Sequence, residues 1–285
     1  WGMNGFGQLG NGTTTTSNTP VAVTGLTIGV TVLSTAQLAH LCAATATGVV
    51  CWGREAADPT PLARTTPVAV SGLGAGITAL SAGFDHSCAI DASGAALCWG
   101  SNEGGQLGNG TQTASAAPVA VTGLGSGTTA IAAGAWHTCA ITGGAVKCWG
   151  SNNQGALGAG SAAAYSTTAL TVSGISGATA VALQSNGSCA VASGAVKCWG
   201  ENDFYGVGDG TQTDRPLPVT TIASGASAIS LASGGCAIVT NGRLRCWGSN
   251  WSGAVGDGTT TDRPSPVNVV IPGMADHVAF VTAPT

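Results

Sequence analysis

The chain has 285 residues, 44% of them hydrophobic and 7% charged, with a net charge of −4. This excludes an intrinsically disordered chain, which carries little hydrophobicity and much charge, and eight Lys plus Arg are too few for a basic stripe that neutralises phosphates. The 46 glycines follow no three-residue period, which excludes collagen, and no apolar run approaches the roughly 18 residues of a membrane span.

Along the chain, Trp-Gly recurs at Trp1, Trp52, Trp99, Trp149, Trp199 and Trp247, at intervals of 51, 47, 50, 50 and 48 residues. Periods near 50 mark propeller blades or solenoid units. We read one domain over 1–285, built of units 1–51, 52–98, 99–148, 149–198 and 199–246 and a partial unit 247–285. The first unit carries a glycine loop at Gly7 to Gly12; in the second, Arg54-Glu55-Ala56-Ala57-Asp58-Pro59 replaces it. The third and fourth show the template best: Trp-Gly-Ser-Asn, then a glycine-rich loop (Gly104 to Gly110; Gly155 to Gly160) and a Thr/Ser/Ala stretch. In the third unit, alternating Pro118-Val119-Ala120-Val121, the run Thr129 to Gly134, then His137 to Ile141 and Ala145 to Trp149 complete four short strands separated by Gly turns. No stretch keeps a helical period for three turns. The sixth unit stops at Val278-Ala279-Phe280-Val281 and lacks the last hairpin with its cysteines. The chain starts at Trp1 without Met, so we expect a processed product or an excerpt of a longer chain.

The ten cysteines fall in five pairs, Cys42 with Cys51, Cys88 with Cys98, Cys139 with Cys148, Cys189 with Cys198 and Cys236 with Cys246, spaced by 9 or 10 residues. Zinc knuckles of the C-x2-4-C kind are absent, so disulfides and an oxidising compartment are the expectation, one staple per complete blade. Turn chemistry supports it. If each pair sits opposite on a hairpin, the Cys139 and Cys148 pair centres on Gly143-Gly144 and the Cys189 and Cys198 pair on Ser193-Gly194, both favoured two-residue turns. The pairs spaced by 10 centre on Ala92-Ser93-Gly94 and Thr240-Asn241-Gly242, with Gly last, where a G1 bulge needs a left-handed residue. The Cys42 and Cys51 pair fits less well, with Ala46-Thr47 at its centre and Gly48 just after. Counting from the turn puts Cys139 and Cys148 on a non-hydrogen-bonded site, close enough to bridge. Ile141 then faces Val146 on the same side, so the cysteines extend an apolar face.

The segments Gly7-Gln8-Leu9-Gly10-Asn11-Gly12-Thr13, Gly105-Gln106-Leu107-Gly108-Asn109-Gly110-Thr111 and Ala133-Gly134-Ala135-Trp136-His137-Thr138-Cys139-Ala140 resemble the regulator of chromosome condensation repeat. The resemblance covers essentially the whole chain and implies an all-β propeller, typically of seven four-stranded blades. It leaves function open, because a fold does not fix one.

The repeated tryptophans read as core. His40, His86 and His137 share one slot two residues before the first Cys, where a hydrogen bond within the blade is favoured over convergence on a metal; Gly187 and Gly234 take the slot in later units. No nucleophile elbow is present, the carboxylates Asp85, Asp91, Glu103, Glu201 and Asp203 are scattered, and no catalytic residue, cofactor or metal is expected. Asp214-Arg215 and Asp262-Arg263 read as turn caps or surface ion pairs. Three to six residues after each tryptophan the side chains vary: Met3 to Phe6, Arg54 to Ala57, Asn102 to Gly104, Asn152 to Gln154, Asn202 to Tyr205, Asn250 to Ser252. In a propeller such loops gather at one end of the ring. Phe6, Phe204, Tyr205 and Trp251 bring large aromatics there, and Phe84 and Trp136 join them as a candidate ligand-binding face. Asn11, Asn109, Asn186 and Asn250 begin N-x-S/T sequons open to glycosylation.

These observations point to a secreted or cell-surface, non-enzymatic propeller that serves as a protein- or glycan-binding scaffold, with no nucleic-acid partner and no membrane span. The alternatives are a polysaccharide-acting enzyme and, through the resemblance, a protein inhibitor similar to the propeller-type β-lactamase inhibitor.

Overall fold

The computed structural model describes residues 1–35, 40–54 and 63–270. The expectations for Glu55 to Pro59 and for Val278 to Val281 lie outside the described residues. Five four-stranded antiparallel sheets follow in chain order. The first is built from Val30–Thr35, His40–Thr45, Gly48–Arg54 and Ala63–Ala69; the second from Ala79–Ala82, His86–Ile90, Ala96–Gly100 and Ser115–Ala120. The third comprises Thr128–Ala133, His137–Thr142, Ala145–Ser151 and Tyr165–Thr171; the fourth Ala178–Gln184, Gly187–Ala192, Ala195–Gly200 and Arg215–Ile222. The fifth comprises Ala228–Leu231, Gly234–Val239, Arg243–Gly248 and Arg263–Asn268. The only helical elements among the described residues are two three-residue 3₁₀ turns. The first strands of successive sheets lie side by side, the arrangement of propeller blades around an axis. Pro67, Pro118, Pro216, Pro218, Pro264 and Pro266 all fall in fourth strands, at the sheet edge, where a missing N–H breaks no ladder.

Local turn chemistry sets the middle hairpins. Gly143 and Gly144 both take positive φ (57° and 74°), which the two-residue turn requires, and Cys139 pairs opposite Cys148. Gly94 (φ 80°) and Gly242 (φ 70°) occupy the left-handed position of the longer loops, which set Cys88 opposite Cys98 and Cys236 opposite Cys246. The first hairpin keeps the same register, with Thr45 opposite Gly48 and Cys42 opposite Cys51. All five cysteine pairs are disulfide-bonded: Cys42 to Cys51, Cys88 to Cys98, Cys139 to Cys148, Cys189 to Cys198 and Cys236 to Cys246. Their Cα atoms lie 4.0–4.1 Å apart, as non-hydrogen-bonded cross-strand positions allow.

The sheets are phased differently from the sequence units. From Trp52 onward each Trp-Gly sits in a third strand, so the fourth strand of a sheet comes from the far side of the glycine loop. Burial is organised between sheets. Cys139, Ile141, Val146 and Cys148 of the third sheet cluster with Ala190 and Trp199 of the fourth. Cys42 likewise meets Trp99, Cys88 and Cys98 meet Trp149, and Cys189 and Cys198 meet Trp247. These four disulfides thus form part of the apolar layer on which the next blade's tryptophan packs. The fifth disulfide is placed differently. Cys246 is buried but Cys236 only half-buried, and neither belongs to an apolar cluster among the described residues.

Candidate functional site

The connection between the first and second strands and the long loop between the third and fourth lie at the same end of each blade. The Ser101 amide donates to Asp85 O at 2.7 Å, Ser151 to Trp136 O at 2.8 Å and Glu201 to Asn186 O at 3.1 Å. This end collects the aromatics expected to form a face, and the structure sorts them.

Part of what read as variable loop is interior scaffold. Asn102, three residues after its tryptophan, is fully buried. Its Nδ2 donates to Thr111 O and Thr113 O, both at 3.0 Å, and its Oδ1 accepts the Leu107 amide at 2.9 Å. Asn4, Asn152, Asn202 and Asn250 repeat this pattern. One side chain thereby folds a whole glycine loop, and the Asn position offers nothing to a partner. The loop then reaches the next blade. Trp149 Nε1 donates to Gln106 O at 2.8 Å, and Trp52, Trp199 and Trp247 make the same latch to Gln8, Ala156 and Gly206. Gly108 touches that ring so closely that a Cβ would stand 2.8 Å from it, at a φ of +65° that only glycine adopts easily.

Charged residues reinforce two loops. Arg215 pairs with Asp209 at 2.6 Å and Arg263 with Asp257, while Asp214 and Asp262 accept the amides of Asn202 and Asn250. The aspartates beside these arginines in sequence are therefore caps, and the ion pairs run six residues back. Burial pushes the Asp257 carboxyl up, but the Thr259 hydroxyl and the Arg263 guanidinium outweigh it and hold the pKa down at about 2.

The histidine slot is a strut between blades, not a contact within one. His40 Nε2 meets Ser87 Oγ at 3.0 Å, His86 meets Thr138 Oγ1 at 2.9 Å and His137 meets Ser188 Oγ at 2.9 Å. The His137–Ser188 pair has the composition of a nucleophile and base, yet it is locked into the scaffold. The Ser188 hydroxyl lies 3.1 Å from Ala156 O and that of Thr138 3.1 Å from Gln106 O. Each buried hydroxyl is thus held between a backbone carbonyl and a buried imidazole, out of reach of a substrate. Burial lowers the pKa of His40 to about 4, of His86 to about 3 and of His137 to about 4, so all three are neutral at pH 7. Sequence reasoning missed the partner, although Ser87, Thr138 and Ser188 follow the histidine slot in every case.

The six candidate face residues divide. Phe84 and Trp136 form an edge-to-face pair with ring centroids 5.9 Å apart. Phe204 and Trp251, 62% and 79% exposed, line one cleft of about 320 Å³ between the fourth and fifth sheets, with Glu201 and Asp203 in its wall. Phe6 is exposed on the first glycine loop, and Tyr205 turns tightly at φ 60°; neither lines that cleft. Glu201 and Asp203 therefore come together, but without Tyr205 or an imidazole free to act with them. Among the sequons, Asn11 and Asn109 turn Oδ1 onto the following Thr, whereas the Asn250 amide is buried and bound inside its loop, so a glycan there would require the loop to open. Asn186 Oδ1 is buried with no hydrogen-bond partner among the described residues.

A family model described as regulator of chromosome condensation (RCC1) repeat matches residues 1–33 and 93–141, and a second of that description matches 77–106 and 129–156. No curated protein sequence matches the chain. Among solved structures, human WBSCR16 superposes with a TM-score of 0.71 at 20% identity, over 82% of this chain and 66% of that one. Prp20p from Saccharomyces cerevisiae, described with its binding to Gsp1p and histones, gives 0.69 at 20% identity, over 82% and 62%. Yeast RCC1 (Prp20) bound to Kap60 gives 0.70 at 21%, over 82% and 60%. The chain thus spans between 60% and 66% of the length of these three, and the likeness is one of fold. Repeat matches, sheet topology and superposition agree: the chain is an RCC1-like β-propeller with one disulfide in each of its five described sheets.

Proposed function

We propose that this protein is an extracellular binding scaffold that holds a protein partner on the loop end of the propeller, without catalysing a reaction. The observation that carries the reading is the set of aromatics at that end: half-buried Phe84 stacks edge-to-face on exposed Trp136, and exposed Phe204 and Trp251 line one cleft. Single exposed apolar residues are ordinary, but paired large aromatics beside polar loops are the usual anchors of protein interfaces. The five disulfides support an oxidising, extracellular setting. Among the described residues no helix is long and apolar enough to cross a membrane. Asn11 and Asn109 are the sequons we propose for glycosylation in a eukaryotic secretory host.

The test is capture from the extracellular fluid of the source organism, followed by affinity measurement with the purified partner. Phe84→Ala/Trp136→Ala should weaken binding at least about tenfold, as loss of interface anchors does. Ala92→Lys, in a hairpin turn at the far end, should leave it unchanged. Equal loss from both variants, or a partner indifferent to the aromatics, refutes the assignment.

A further inference from the structure

We propose that the cleft between the fourth and fifth sheets is a pocket for a cation, and that its occupant is an arginine side chain of the partner protein. The inference rests on the proposed loop-end function and adds the chemistry of one anchor point.

The cleft lies where the strut between blades is missing. Histidine and hydroxyl are lost together there: Gly187 stands in the histidine slot of the fourth sheet and Gly235 in the hydroxyl slot of the fifth. In the second and third sheets the strut also constrains a glycine five residues before the first Cys, since a Cβ on Gly83 or Gly134 would fall 2.4–2.5 Å from the His86 or His137 ring. Where the ring is absent, that position enlarges to Gln184 and Leu231, and both side chains border the cleft. The substitution leaves room. A Cβ on Gly187 would meet nothing closer than 3.7 Å, and its backbone is not left-handed. The resulting volume of about 320 Å³ is at the lower end of the range for small ligand sites, roughly 300–1,000 Å³.

The walls define the ligand. Glu201 and Asp203 present two carboxylates that have no hydrogen-bond or ion-pair partner among the described residues, and no Lys or Arg lines the cleft. Phe204 and Trp251 line the cleft beside them. A cation gains from both features, through charge-assisted hydrogen bonds and through attraction to the ring faces. Guanidinium suits them best, because its plane stacks on an aromatic ring while its edge forks to carboxylates. A neutral sugar would use the rings and leave two charges in the cleft without a counter-ion.

The experiment follows the Trp251 indole resonance in ¹⁵N-labelled protein, assigned with Trp251→Phe, during titration with N-acetyl-arginine amide. N-acetyl-citrulline amide serves as its neutral analogue and N-acetylchitotriose as a sugar. We expect a saturable shift with the arginine compound at a dissociation constant of about 1 mM, and at least about tenfold weaker binding of citrulline. The arginine affinity should fall several-fold between about 20 and about 300 mM NaCl. Glu201→Gln/Asp203→Asn should weaken arginine binding about tenfold with unchanged thermal unfolding, and Gly187→Leu should block it by filling the cleft. Citrulline binding equal to arginine, a sugar shift indifferent to Glu201→Gln/Asp203→Asn, or no saturable shift at all overturns the proposal. Any of these outcomes leaves the capture experiment on Phe84 and Trp136 to decide the broader reading by itself.

Discussion

The buried histidine struts predict a specific acid lability. His40, His86 and His137 are neutral in the fold, with pKa values near 4, 3 and 4, and in an unfolded chain they return to 6.5. The unfolded state therefore binds more protons below pH 6.5, and stability falls as pH drops through the window from 6.5 towards 4. At pH 5.5 each unfolded imidazole is about 90% protonated while its folded counterpart is almost wholly neutral, a cost of about 1.4 kcal/mol per strut and about 4 kcal/mol for three. That is a large fraction of the roughly 5–15 kcal/mol that holds a domain together. The carboxylates held low, Asp91, Asp209 and Asp257, act in the same acid arm at lower pH: their contribution is present above their unfolded values of about 4 and is lost as pH falls from there through their folded ones. Urea unfolding followed by tryptophan fluorescence, with disulfides intact, at pH 7.5, 6.5 and 5.5 measures the slope. A His40→Gln/His86→Gln/His137→Gln variant offers a neutral amide in place of each imidazole and does not titrate. It should be less stable at pH 7.5 and nearly pH-independent above pH 5. If this variant folds and keeps the wild-type slope, the histidines are not the titrating struts.

Four further outcomes follow from the same geometry. Asn102→Ala removes one acceptor and two donors inside a buried loop, and should cost about 2–4 kcal/mol in urea melts, since several buried backbone groups lose their partners. Trp199→Phe keeps most of the packing but leaves Ala156 O with the Ser188 hydroxyl as its one remaining donor, and should cost about 1 kcal/mol, read from the same melts. Cys139→Ala/Cys148→Ala opens a loop of about ten residues and should lower stability by about 3 kcal/mol, without changing the far-ultraviolet circular dichroism of the folded protein. Thiol titration of the denatured, unreduced protein should find no free cysteine, and finding ten would remove the argument for an oxidising compartment.

What could be read from the chain was what lies close together in it. A disulfide across nine or ten residues needs only a hairpin of the right length, and Gly143-Gly144 or Ala92-Ser93-Gly94 fixes that length. The Trp-Gly period likewise announces a stacked repeat, because a unit of about 50 residues cannot bury its apolar face alone. The loop Asn was misread as a variable contact because its acceptors, nine and eleven residues on, are backbone groups, which leave no mark in side-chain identity.

Contacts between blades were beyond the reach of local reasoning. A histidine and its hydroxyl lie 47 to 52 residues apart, and only the packing of one sheet on the next brings them within about 3 Å. The same packing decides the phase of the sheets, since a fourth strand must cross the glycine loop to find its edge. It separates the disulfides too: Cys236 and Cys246 bridge a hairpin like the other pairs, yet neither belongs to an apolar cluster among the described residues. It also decides the aromatic cleft. The sequence carries the absences at Gly187 and Gly235, but they make a pocket only because the two missing side chains would have met. Local turn geometry is encoded residue by residue, whereas a space between blades is defined by neighbours one whole repeat away.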